Sequence, residues 1–110
     1  MPLQRFPLNQ FTKGWFVGRF EPTLLGTDEV EVAIKHYRAG DCEDAHHHKV
    51  ATEVTAVVTG RVRMSGEEIG AGEIVRIPPG QSTDFEALTD ATTVVIKLPC
   101  AAGDKYLDPP

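Results

Sequence analysis

Prolines and glycines interrupt this chain every few residues, eight of one and ten of the other in 110. No stretch shows sustained helical periodicity, and such punctuation suits short strands joined by tight turns. Between the breaks, apolar residues alternate. From Glu29 to Tyr37, one face holds Val30, Val32, Ile34 and His36, and the other holds Glu29, Glu31, Lys35 and Tyr37. That period of two marks a half-buried strand. Residues 15–20 read as a short strand ended by Glu21-Pro22. Residues 54–59 form a β-branched strand closed by Gly60, residues 61–64 continue it, and Ser65-Gly66-Glu67-Glu68 reads as a hairpin turn. Further strands are expected over 73–77, 81–88 and 92–98, with residues 1–14 as an extended arm. Seven or eight short strands at this spacing predict an all-β sandwich or barrel.

A chain of 110 residues holds one core and one domain. The formal net charge is −5, and the eleven basic residues are scattered rather than striped. Phosphate-backbone binding needs clustered cations, so no nucleic-acid partner is expected. No segment approaches the roughly 20 apolar residues that span a bilayer, so no membrane partner is expected either. Cys42 and Cys100 are too few for a disulfide framework. Residues 1–16 contain no continuous apolar run of the kind a secretory signal needs, and a cytoplasmic protein is the expectation.

The stretch that carries chemistry runs from Gly40 to Gly60. His46 and His48 are two apart, so on a strand their side chains leave the same face while His47 points away. A turn across residues 49–52 brings Glu53 back on the neighbouring strand beside them. Two imidazoles and one carboxylate on one surface suit a divalent transition metal: Fe, Zn, Mn or Ni.

In this register the chain resembles the cupin superfamily, specifically a small single-domain cupin. The first cupin motif, G-x5-H-x-H-x3–4-E-x6-G, is matched by Gly40, His46, His48, Glu53 and Gly60. The second, G-x5-P-x-G-x2-H-x3-N, is matched in part. Gly72, Pro78 and Gly80 fall in place, but Thr83 stands where the family has its fourth metal-binding histidine, and Ala87 where it has asparagine. Asp84 is chemically suitable but belongs to the opposite face of a strand unless a bulge re-aims it. The resemblance implies a jelly-roll β-barrel. It divides the chain into an arm with a first strand (1–28), a barrel core (29–99) and a tail (100–110). It implies metal ligation by His46, His48 and Glu53, a small-molecule substrate or ligand in the barrel, and a homodimer. Val54, Ala56 and Val58, opposite Glu53, offer an apolar surface for the second copy.

Other residues carry two readings each. His36 shares a face with Val30, Val32 and Ile34 and is expected to point inward, either as a hydrogen-bonded core histidine or as a replacement ligand or general base. Tyr37 then faces the other way. Gln81 and Thr83 alternate onto one face, as substrate-orienting groups or as barrel lining. Cys42 is a thiol near the barrel mouth with nothing to activate it. Trp15, Phe16 and Phe20 cover an open end or pack a contact between copies.

Three functions follow. The first is a metal-dependent enzyme of dioxygenase, isomerase or lyase type, in which His36, Thr83 or Gln81 orients the substrate. The second is a metal-free sugar or nucleotide-sugar isomerase or epimerase, with the histidines as acid–base groups and Arg61, Arg63 or Arg76 available for a diphosphate. The third is a non-catalytic ligand-binding cupin.

Overall fold

The computed structural model describes residues 2–109; Met1 and Pro110, at the outer limits of the expected arm and tail, lie outside the described residues. Among the described residues ten strands follow one another. They are β1 (Trp15–Val17), β2 (Glu31–Tyr37), β3 (Cys42–His47), β4 (Thr52–Thr59) and β5 (Arg61–Met64), then β6 (Glu67–Gly70), β7 (Ile74–Ile77), β8 (Thr83–Ala87), β9 (Ala91–Leu98) and β10 (Tyr106–Leu107). They form two five-stranded sheets, β1-β2-β9-β4-β7 and β10-β3-β8-β5-β6, in which every strand pair is antiparallel. This is the expected all-β jelly roll. Two strands exceed the expectation: Glu67 and Glu68 pair with Met64 and Arg63 instead of turning, and part of the tail becomes an edge strand against β3. The arm is not extended throughout, because Leu8–Gln10 and Thr12–Gly14 each make one 3-10 turn.

Alternation sets what enters the barrel. Along β4, Glu53, Thr55 and Val57 are buried while the residues between them are more exposed; along β9 the buried set is Ala91, Thr93 and Val95. At one end these positions are apolar. Val57, Val62, Met64, Ile69, Ile77, Phe85, Ala87 and Ala91 form one cluster there, with Tyr37 packed against it. Burying each of the larger side chains contributes about 1.5–3 kcal/mol.

Two glycines meet close backbone approaches. Gly60, which turns β4 into β5, has a φ of +84°, and a Cβ there would lie 2.1 Å from the Asp90 carbonyl oxygen. Gly14 has a φ of +82°, and its Cβ would lie 1.9 Å from the Ile34 carbonyl oxygen. Only glycine lets the arm lie this close to β2.

That arm explains a correction on β2. The buried residue of this strand is Ala33, and on the same face Glu31, Lys35 and Tyr37 line the barrel cavity, whereas His36 is exposed on the outer face. The inward face is thus the polar one. Its apolar partner, Ile34, lies beneath Leu8 and Phe11 of the arm instead of in the barrel. Apolar residues marked a buried face, but the cover is the arm, and the barrel interior at this level is a polar cavity.

Candidate metal centre

Strand β3 and the residue just past its end deliver the imidazoles of His46 and His48, and β4 delivers one carboxylate to the same point. Ligand atoms of His46, His48 and Glu53 all lie within 4.8 Å of one another. All three side chains are buried, at 9%, 5% and 8% exposure, which is unusual for such groups unless something satisfies them. A bulge helps to place them. The β3–β8 register slips between Glu43 and His46, so two residues three apart both face the cavity, which a regular strand forbids. His47 points outward as expected, pairing with Asp108 at 2.8 Å and stacking on Tyr106.

Hydrogen bonds orient both rings. His46 Nδ1 donates to the Asp44 carbonyl at 2.9 Å, and His48 Nδ1 donates to the Asp104 carbonyl. A carbonyl only accepts, so in the neutral ring the proton sits on Nδ1 and Nε2 carries the lone pair that faces the site. His48 Nε2 lies 3.4 Å from Glu53 Oε1, yet it is fully buried without a hydrogen-bond partner. Thr55 donates to Glu53 Oε2 at 2.9 Å and steadies the carboxylate. The Glu53 carboxylate holds the His48 imidazole above its ordinary pKa against the effect of burial. Burial pushes the Glu53 carboxyl up, but His48 and Thr55 outweigh it and the group lies below its ordinary value. Glu53 is therefore an anion ready to ligate, and an orphaned, lone-pair-bearing nitrogen beside it fits a divalent metal.

Asp104 was not singled out from the sequence. Its buried carboxylate accepts the backbone N–H groups of Lys49, Val50 and Ala51 at 2.8 to 3.2 Å, which ties down the loop between His48 and Glu53. Its carbonyl meanwhile holds His48. A lone aspartate in a Gly-Asp-Lys tail carries no local signal for this role.

The remaining candidates separate. Thr83 sits directly across from His46 in the β3–β8 register, is buried, and lines the cavity. Its hydroxyl donates to the Asp84 carbonyl at 2.9 Å and accepts from Ser65 at 3.1 Å. Gln81 is exposed and borders a different depression, beside Glu67 and Ile74. His36 does not reach the barrel interior; its Nδ1 meets Thr92 Oγ1 at 3.0 Å on the outside. Cys42 is exposed and unpaired. Arg61 and Arg63 engage Glu68 and Glu86 on the surface and do not line the cavity. Trp15 does line it, together with Lys35, Lys97, Tyr37 and Thr93, around a volume of about 300 Å3.

Comparison with known proteins places this geometry in a fold. No family model matches the sequence, and no curated protein matches it. Solved structures do. Oxalate decarboxylase from Bacillus subtilis superposes with a TM-score of 0.65 at 16% identity, over 74% of this chain and 24% of that one, so this chain spans about a quarter of that enzyme's length. KdgF from Halomonas sp. superposes with a TM-score of 0.62 at 20% identity, over 69% of this chain and 74% of that one. A conserved protein of uncharacterized function with a double-stranded β-helix domain, from Klebsiella pneumoniae, reaches a TM-score of 0.71 at 19% identity, over 94% and 90%. The two facing sheets, the His-x-His strand and these superpositions together identify the chain as a small cupin-type jelly roll in its fold.

Proposed function

We propose that this chain, acting as one domain over residues 1–110, is a metal-dependent enzyme that transforms a small polar molecule inside its barrel. His46, His48 and Glu53 hold a divalent transition metal, with iron, zinc, manganese and nickel all compatible with the donor set. One observation carries the reading: the buried His48 Nε2 has no hydrogen-bond partner and lies among the other two ligand groups. Leaving such an atom unsatisfied costs about 1–3 kcal/mol, which a metal–nitrogen bond removes. When bound, the metal supplies a Lewis acid or redox centre. The chain's own groups do the rest. Asp44 and Asp104 fix the imidazole tautomers, Thr55 steadies Glu53, and Tyr37 and Thr93 line the substrate space.

The sugar-nucleotide isomerase reading gains no support, because the arginines it needs for a diphosphate lie outside the cavity. Two further features belong to the proposal. Val58 and Ile74, 51% and 68% exposed on the outer face of the first sheet, favour a homodimer through that face. No helix of the described residues is long and apolar enough to cross a membrane, and the unpaired thiols of Cys42 and Cys100 suit the reducing cytoplasm.

Elemental mass spectrometry on tag-free protein tests the centre. One transition metal per chain is expected in the wild type and none in the His46→Ala/His48→Ala variant, whose circular dichroism remains that of a β protein. Full metal occupancy in that variant overturns the assignment.

A further inference from the structure

The lysines of this acidic chain are unevenly placed. They are Lys13, Lys35, Lys49, Lys97 and Lys105, and all but Lys49 line the cavity that holds His46 and Glu53. No arginine joins them there. Carboxylates share the cavity, and Lys97 sits directly across from Glu31 on one neighbouring strand and from Glu53 on the other. Cross-strand ion pairs would be the ordinary result. Yet among the described residues none of these lysines makes an ion pair within 4.0 Å. Instead the ammonium groups of Lys35 and Lys97 both lie by the same aromatic ring, 5.2 and 4.9 Å from the centroid of Trp15. Burial pushes the Lys35 ammonium down; Glu43 opposes this, while repulsion from Lys97, Lys13 and Lys105 adds to it. Thr93, fully buried on the same wall, has a hydroxyl without a hydrogen-bond partner.

We infer that the substrate of the cavity is a small carboxylate, its anionic end held by Lys35 and Lys97 above Trp15 and its reacting end turned toward His46, His48 and Glu53. The inference rests on the proposed metal centre only for the second half of that placement. Point-charge ammoniums without an arginine fork, next to Glu31, Glu43 and Glu53, suit a carboxylate better than a more highly charged phosphate. The volume, about 300 Å3, admits a molecule of a few carbons and excludes a polymer.

Trp15 is the chain's single tryptophan, so its fluorescence reports on this site directly. Purified protein is titrated with succinate, with the neutral isostere succinamide and with inorganic phosphate. A saturable change in emission is expected with succinate and none with succinamide. Lys35→Gln and Lys97→Gln should each weaken succinate at least about tenfold, as loss of a charged hydrogen bond does, while Lys97→Arg restores binding and controls for folding. Equal response to succinamide, an unchanged Kd in both glutamine variants, or tighter binding of phosphate than of succinate overturns the inference. The same titration of His46→Ala/His48→Ala separates the two readings. Lysine-dependent succinate binding there supports the anion site whether or not the wild type carries metal. Succinate binding that is lost in this variant but kept in the glutamine variants assigns the anion to the metal alone and overturns the lysine site.

Discussion

The two ends of the barrel are made from the same strands but from different chemistry. Along β4 the inward residues run Glu53, Thr55, Val57; along β8 they run Thr83, Phe85, Ala87; along β9, read backwards, Lys97, Val95, Thr93, Ala91. Each strand starts in a polar cavity and ends, wholly or nearly so, in an apolar plug. The plug supplies burial energy and holds the sheets in register. The open end carries buried charge, an orphaned imidazole nitrogen and unpaired ammoniums, all of which oppose folding. The proposed metal centre and substrate site lie at the end where the structure is least satisfied, and the other end makes that tolerable.

If this division holds, the largest loss of stability comes from the closed end. Phe85 is 5% exposed, and its ring centroid lies 4.4 Å from that of Tyr37. Phe85→Ala should cost about 3–5 kcal/mol in urea unfolding, through lost burial and a residual cavity. Metal content per folded chain should not change. A variant that loses its metal while keeping most of its stability would break the separation between the ends.

An intermediate effect is expected at the open end, where Asp104 braces the loop between His48 and Glu53. Asp104→Ala strands three backbone donors of the His48–Glu53 connection and should cost about 2 kcal/mol near neutral pH. Its pH dependence identifies the mechanism. Burial raises the Asp104 carboxyl, but the amides of Ala51, Lys49 and Val50 outweigh it, so the native pKa lies below the ordinary carboxyl value. The stabilisation is thus complete above the unfolded-state pKa of about 4 and is lost as pH falls through the lower native value. Urea midpoints of wild type and variant should be furthest apart at neutral pH and converge in acid. A gap that stays constant down to the native pKa and below would mean the carboxylate's charge plays no part.

How far the residues alone revealed this division depends on which end is read. The closed end is legible, since β-branched alternation and Gly60 placed β4, β5 and β9 within a residue or two. The clustering of His46, His48 and Glu53 was legible, because a two-residue step in an extended segment and one tight turn bring two imidazoles and a carboxylate together. The face of β2 was not, because the alternation of Val32 and Ile34 with Lys35 and Tyr37 records which side is dry without saying whether barrel or arm dries it. Nor were Asp104, Lys35 and Lys97. Their placement comes from contacts with the loop between β3 and β4 and with Trp15 over long sequence separations, and no local pattern encodes those.

The smallest effect falls at the polar end, at Thr83, which stands where the cupin motif has its fourth histidine. It lies across from His46, near enough in register to complete the centre. Its hydroxyl proton, however, is given to the Asp84 carbonyl, and Ser65 occupies one lone pair. A neutral hydroxyl already engaged twice is a weak ligand for a metal that has two imidazoles and a carboxylate. Thr83→Val keeps the shape and removes those bonds, whose partners, exposed Ser65 and the Asp84 backbone, can turn to water; the cost should be about 1 kcal/mol. Metal affinity by competition with a chelator should stay within about twofold of wild type. If it falls by orders of magnitude instead, Thr83 belongs to the metal centre, and the polar end reaches one strand further around the barrel than the His46, His48 and Glu53 cluster alone defines.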